Sequence, residues 1–474
     1  MIILGQIGDY ELSSILEDYI TPYDYPVFII YLIIIILTLF NIKHKKEELN
    51  PAYKYFVSGF LVKIIAGIIF TLIYLFYYSG GDCINYFWST RALSKLLLVN
   101  PGAALDIIIN DNRTIENSSW FNNFTKSPIW RFYFGKAVDS IGVVRLSSVF
   151  MTLGFNLWLP CLVVINLFWY RGIWKFYLLV CKFYPGNIKW NAICVLFVPS
   201  VLFWGSGIMK DSFTFAATLW LVTNMYYCFI ERKNFFSNLL MLIVNSYIIL
   251  ILKPYIFVAI IPPSLIWISY LSIKKIKNTA LKLISAPLLI AVGIGMGLLV
   301  LSMFKSSLGD YGTSDTIIAK VKLTQQDLMR GEEYGQNYYN IGEYDASITG
   351  ALSKAPIAII SGLFRPFIWE ARNIVMLISG LENTFLLFFT LYMIFRIGVK
   401  AIFSIMIREP MIIFALIFAL IFSYSVGMAS ANFGALVRYR ILALPFFMIA
   451  LTNTYYLIQK NKKEISDTFE NPNN

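Results

Sequence analysis

Histidine is nearly missing from this chain: His44 is the single one in 474 residues, and it lies in a basic segment. A histidine zinc site needs several imidazoles and a catalytic triad needs one beside its nucleophile, so both readings are set aside. Charge is scarce as well, 14% of residues, against about 25% in an average soluble domain. No stretch remains from which to build a soluble catalytic domain. The five cysteines, at 83, 161, 181, 194 and 228, have no CxxC spacing and mostly sit in apolar runs, which points to packing and gives neither a disulfide framework nor a thiol active site. A dinucleotide loop is absent too, because GIGMG at Gly293 to Gly297 follows no strand and reads as close helix packing. The first 24 residues lack a basic leader and a small-residue cleavage pattern, so the first apolar run is expected to be retained.

What the chain has in quantity is apolar length. Hydrophobic residues make up 58% of it, and runs long enough to span about 30 Å of hydrocarbon recur throughout. The expected fold is all-α and polytopic, with about eleven transmembrane helices at 25–41, 56–78, 142–168, 190–206, 212–230, 237–252, 255–272, 282–303, 373–395, 410–427 and 441–459. These form a single transmembrane domain over 25–459. Net charge is +12, but its distribution argues for a membrane rather than nucleic acid. One set of loops holds 20 basic residues against seven acidic ones, which by the positive-inside rule faces the cytoplasm. Residues 1–24 then lie outside, with a partly amphipathic run from Tyr10 to Ile20 suited to the membrane surface, and residues 460–474 form a cytoplasmic tail.

Two long loops, about 79–141 and 304–372, fall on the external side. They are rich in Tyr, Trp, Phe, Asn and Gly, and loops of this length are usually functional or disordered. Their aromatic content favours order, as interfacial helices that rest on the membrane or stack on sugars. The Asn-x-Ser/Thr triplets at Asn112, Asn117 and Asn123 decide nothing about function, since they are acceptors only where the modifying machinery exists.

Five polar constellations break the apolar pattern. In GGDCINYFW, Asp82 follows a double glycine and opens a helical pattern; it reads as an N-cap or as a carboxylate that accepts a proton from a sugar hydroxyl, with Arg91 further on to hold phosphate or that carboxylate. In PSVLFWGSGIMKDSFTF, the Gly205-Ser206-Gly207 interruption joins two short crossings or marks a broken helix, and the Lys210–Asp211 pair beside it suits a phosphate. Lys253, at a tight turn, either snorkels or adds another external cation. In GLFRPFIWEARN, Arg365, Glu370 and Arg372 stand among aromatics, and the planar guanidinium of Arg365 matches a diphosphate; Glu382 lies inside the next span, where an ionisable group must be functional or paired. In ANFGALVRYRILALPFF, Arg438 and Arg440 lie two apart on the side that charge bias disfavours; on a helix they diverge by about 200°, one to bind phosphate and the other to brace.

GGD before an aromatic segment, KDS after FWGSG, FRPFIWE, and RYR before LPFF resemble the multispan envelope glycosyltransferases and glycan polymerases that use polyprenyl-linked sugars, the C-type membrane glycosyltransferases and Wzy-type polymerases being the nearest types. The resemblance implies glycosyl transfer or glycan polymerisation at the outer face of the cytoplasmic membrane. It implies Asp82 as the catalytic base and Arg365, Arg438 and Arg440 as the residues that hold the diphosphate; the motifs themselves add Asp211 and Glu370 as candidate carboxylates and Arg91, Lys210 and Lys253 as candidate binders of the lipid-linked phosphate. The implied partners are a polyprenyl-linked saccharide, membrane lipid and envelope-glycan assembly proteins, with no nucleic acid; no cofactor is certain, and a divalent cation stays open. Two departures stand: Asp82 is solitary and follows the second span rather than the first, and no external histidine is present. A transporter or flippase for a lipid-linked oligosaccharide is the alternative, expected to carry its charges at several depths of a central cavity.

Overall fold

The computed structural model describes residues 19–78, 80–112, 114–124, 138–274, 291, 295, 314–328, 339–345 and 347–470. Among these the structure is helical, without β-strands. Among the described residues nine helices are long and apolar enough to cross a membrane, which marks the chain as a membrane protein: α1 (Asp24–Glu47), α2 (Pro51–Tyr77), and seven more given below. The expected crossing at 282–303 and the GIGMG run lie outside the described residues, apart from Ala291 and Gly295, as does most of the Tyr10–Ile20 run.

The chain divides into two compact units. The first holds residues up to Lys175, with Leu202–Ala217 and Tyr247–Lys253. After α2 come three shorter helices, α3 (Asp82–Val99), α4 (Pro101–Asn110) and α5 (Ile115–Asn122), so the described part of the expected first long loop is ordered. Cys83, Tyr86, Phe87, Thr90, Leu93 and Ser94 of α3 are buried at helical spacing. That face packs on α6 (Val138–Leu153), where Tyr86 donates to Ser140 Oγ at 3.4 Å and Ser94 meets Thr152 hydroxyl to hydroxyl at 2.8 Å.

The hairpin from α4 to α5 is closed by Asp106, whose carboxylate accepts from the side-chain amides of Asn110, Asn112 and Asn117 at 2.9, 2.7 and 3.0 Å. Two of the three triplet asparagines therefore serve the fold. Buried Arg145 of α6 closes the same, C-terminal end of α4, donating to the Ile108 and Ile109 carbonyls at 2.8 and 2.9 Å. A cation there satisfies last-turn acceptors and complements the helix dipole.

A single crossing at 142–168 is not what forms. α6 stops at Leu153, and α7 (Trp158–Phe183) starts after a turn in which Phe155 and Asn156 take φ of 57° and 60°. The turn is as apolar as its flanks, so hydropathy ran through it. The expected span 190–206 is also broken: α8 (Ile188–Leu196) ends before Pro199, which opens the six-residue α9 (Pro199–Trp204). Proline has no N–H to continue a helix, and here it takes the first helical position.

The remaining candidate crossings are α7, α10 (Lys210–Met225, continuing to Glu231), α11 (Phe235–Leu252), α12 (Pro254–Lys274), the helix Ile374–Ile397, the helix Pro410–Ala429 and the stretch Phe433–Glu464. Between the first four and the last three, the described segments are α13 (Ser314–Leu328), α14 (Ile348–Ser353) and α15 (Ala355–Phe364). We number the later helices α16 (Ile374–Tyr392), α17 (Val399–Arg408), α18 (Pro410–Ala429), α19 (Phe433–Tyr439) and α20 (Ala443–Glu470).

The second unit comprises Phe176–Val201, Thr218–Ser246 and the chain from Pro254 onward. One close helix contact in it joins α15 and α18. Ala358 and Gly362 are four apart, as are Ser423 and Gly427, so each pair shares one helix face. A methyl group at Gly427 would run into the Ala358 carbonyl, and one at Gly362 into the Ser423 carbonyl. Small residues here let backbones approach where lipid supplies no hydrophobic drive for association. Gly427→Val should therefore destabilise the protein by about 1–3 kcal/mol through forced separation of the helices. Gly102→Ala, whose added methyl lies at an ordinary 3.6 Å from Asn100, should leave it unchanged or slightly stabilised. Thermal unfolding of both variants in one detergent checks the contrast.

Candidate functional site

Each unit holds its own charged cluster. In the first, Gly81 occupies the cap position of α3 at φ 102°, and Asp82 is the first helical residue. The expected aspartate N-cap is thus a glycine cap, a conformation that favours a residue without Cβ. Asp82 is half-buried and sits where the positive end of the helix dipole favours a carboxylate. Arg91 does not join it. Nine residues along α3 place it about 13 Å away along the axis and half a turn out of phase. Its guanidinium instead lies 5.8 Å from the Phe87 ring centre and 6.0 Å from that of Trp88.

Asp211 and Lys253 do come together, as a buried ion pair between Oδ1 and Nζ. Asp211 lies in the first turn of α10 and Lys253 directly follows α11, so each charge complements the dipole of its helix. Lys210 begins α10 and is half-buried.

The Gly-Ser-Gly interruption proves to be a break in the helix, and its principal partner is a residue that the sequence reading passed over. Lys63, midway along α2 and only 4% exposed, donates to the Gly205 carbonyl and lies 3.4 Å from Ser206 Oγ. Asn166 donates to the Ser206 carbonyl at 2.9 Å, and Ser212 to the Trp204 carbonyl at 3.2 Å. Gly207 faces the Phe70 ring so closely that a Cβ would not fit. Helix carbonyls freed by the break are thereby satisfied inside the protein. A lysine in an apolar run was the available signal; its partner, 142 residues away, was not readable.

In the second unit the FRPFIWE turn forms the larger cluster. Arg365 Nε lies 3.0 and 3.1 Å from the two Glu370 oxygens, Nη2 also bonds Oε1, and Glu370 Oε2 accepts from the Phe367 amide at 2.9 Å. The guanidinium lies 4.7 Å from the Tyr339 ring centre and 5.1 Å from that of Phe433, two rings stacked at 5.0 Å. Burial pushes the Tyr339 phenol above its usual value, against the pull of the Arg365 and Arg440 charges.

Beneath the turn lies Arg440, fully buried. It donates to the Arg365 carbonyl at 2.6 Å and to Asn383 Oδ1, while Asn383 Nδ2 donates to the Pro366 carbonyl at 2.8 Å. Arg440 is therefore the brace of the RYR pair rather than a phosphate ligand. Arg438 is the half-buried member, stacked near its neighbour Tyr439. Glu382, the ionisable group inside a span, is engaged: it accepts from Ser200 N at 2.9 Å and Ser200 Oγ at 2.6 Å, capping α9.

Among the described residues, no group of three or more His, Cys, Asp or Glu side chains gathers as a metal site. A cavity of about 170 Å³ is lined by Asn187, Trp190, Phe389, Tyr455 and their neighbours, and none of the candidate site residues borders it. No family model, curated protein or solved structure matches this chain.

Two measurements test the roles assigned to the buried charges. Asp211→Leu, which leaves the Lys253 ammonium buried without its carboxylate, should cost about 3–5 kcal/mol, and Asp211→Leu with Lys253→Met should recover most of it. A double-mutant cycle by thermal unfolding reads the coupling, and simple additivity would refute the pair's role. In the second unit, Arg440→Leu should destabilise by about 3 kcal/mol, and half-buried Arg438→Leu should cost less on the same assay.

Proposed function

We propose that the chain transfers or polymerises glycans at the outer face of the cytoplasmic membrane, using a polyprenyl-(di)phosphate-linked sugar. The observation that carries this reading is the 365–370 turn. Its Arg365–Glu370 pair is fixed by the buried Arg440 below, and beside it Trp369, stacked on Phe367 at 4.8 Å, is 75% exposed. A preset guanidinium suits a phosphate, and an exposed aromatic face suits a sugar or the lipid interface.

In the proposed step, the acceptor hydroxyl oxygen attacks the anomeric carbon as the bond from that carbon to the phosphate oxygen breaks. The bonding pair leaves with the phosphate, whose growing charge Arg365 and Arg438 stabilise. A carboxylate takes the hydroxyl proton. Glu370, bonded to Arg365 in the same unit, is that carboxylate in the second unit; Asp82 is the candidate base of the first unit's own cluster, since Asp211 is tied to Lys253 in the interior.

Lys63 motivates a second reading. A helix broken at mid-span is also how transporters build sites near the bilayer centre, and here a buried cation rests on one of the carbonyls the break frees. Reconstitution with native envelope lipids separates the two. Transfer activity should fall about 10²–10⁴-fold in whichever of Asp82→Asn or Glu370→Gln removes the base. Arg438→Ala should lower it as well. Full activity in all three folded variants would reject the site, and lipid flipping without transfer would favour transport.

A further inference from the structure

We propose that α17 is a surface-binding helix that seats anionic phospholipid headgroups of the bilayer beside its exposed apolar stripe. It stands between two candidate crossings, α16 with its extension to Ile397 and α18. Gly398, at φ 90°, turns the chain into it and Pro410 opens the next helix behind it.

At about 100° per residue, nine of the ten residues of α17 fall into three stripes, with exposed Ala401 at the far edge of the third. Ile402, Ile405 and Met406 form the side with the lowest exposure, Met406 being buried, and the helix packs on α18 and α20. Val399, Phe403 and Ile407 continue the apolar arc beyond that contact and are 64%, 63% and 46% exposed. Lys400, Ser404 and Arg408 form the next stripe, exposed and basic. Arg396, also exposed, lies just before the helix.

The apolar arc is thus wider than its protein contact, and its uncovered half is bordered by cations. A helix in the plane of the interface has this pattern, with apolar residues sunk to the acyl boundary and Lys/Arg at the headgroups. Charge complementarity selects anionic over zwitterionic lipid, each basic residue near such a surface being worth about fivefold in affinity. A second protein copy would need a partner for Arg396 and Lys400 as well as for the stripe, and an anionic phospholipid meets both requirements in one molecule.

The test uses the full chain in vesicles of phosphatidylcholine with phosphatidylglycerol. Spin labels at Phe403→Cys and, separately, Ser404→Cys report depth; all five native cysteines are buried. The Phe403 label should be accessible to oxygen and shielded from a nickel chelate, and the Ser404 label the reverse. Nickel access at both would place α17 in water and overturn the proposal. So would spin–spin broadening at Phe403 that disappears on dilution with unlabelled protein, which would make a second copy the occupant. Native mass spectrometry reads the lipid preference. Wild type should retain phosphatidylglycerol over phosphatidylcholine, and Arg396→Gln with Lys400→Gln should weaken that retention roughly thirtyfold. Equal retention by the two proteins would overturn the anionic preference.

Discussion

Inside hydrocarbon, a polar group has no water to fall back on, and this single constraint organises both units of the protein. At two of the described helix interruptions, side chains from other helices supply the missing partners. Lys63 and Asn166 serve the carbonyls at Gly205 and Ser206, and Glu382 serves the first turn of α9. Two of the buried charges are held by an opposite charge or by oxygen acceptors. Asp211 has Lys253, and Arg440 has the Arg365 carbonyl and Asn383. An unmatched ion at such a depth would cost several kcal/mol, so these contacts are conditions of the fold rather than additions to it.

The same constraint separates residues that support a site from residues that can meet a ligand. Arg440 and Asn383 spend their hydrogen bonds on the backbone of the 365–366 turn, which fixes where the Arg365 fork points. Arg365 in turn is shared between a carboxylate and two stacked rings. A guanidinium held this way has little rotational freedom left to lose on binding, which is the physical content of preorganisation. Exposed Trp369 lies at the rim of the same turn. The proposed glycosyl transfer rests on that layered arrangement, from brace to cation to aromatic surface.

Composition and charge were enough to read a helical membrane protein, and local motifs marked where its helices begin and break. GGD does open a helix, the glycine–serine interruption is a break, and Arg365 and Glu370 do meet. Hydropathy failed where a turn is as apolar as the helices around it, as at Gly154 to Leu157. It also could not reveal that Asp82 and Arg91 diverge, or which member of the RYR pair turns inward. Partners such as Lys63 and Gly205, or Arg440 and Arg365, are 142 and 75 residues apart. Only the folded chain brings them within bonding distance, and a single sequence carries no record of the pairing.

The contact between Ser200 and Glu382 has a consequence for how such a chain is made. Its two ends are 182 residues apart, and α9 begins at one of them. During synthesis, α9 is in place long before α16 has emerged, and its first amide donors lack their carboxylate until then. The corner at Pro199 is therefore completed late, and an element near the middle of the chain acquires its final shape only as one of the last crossings is inserted.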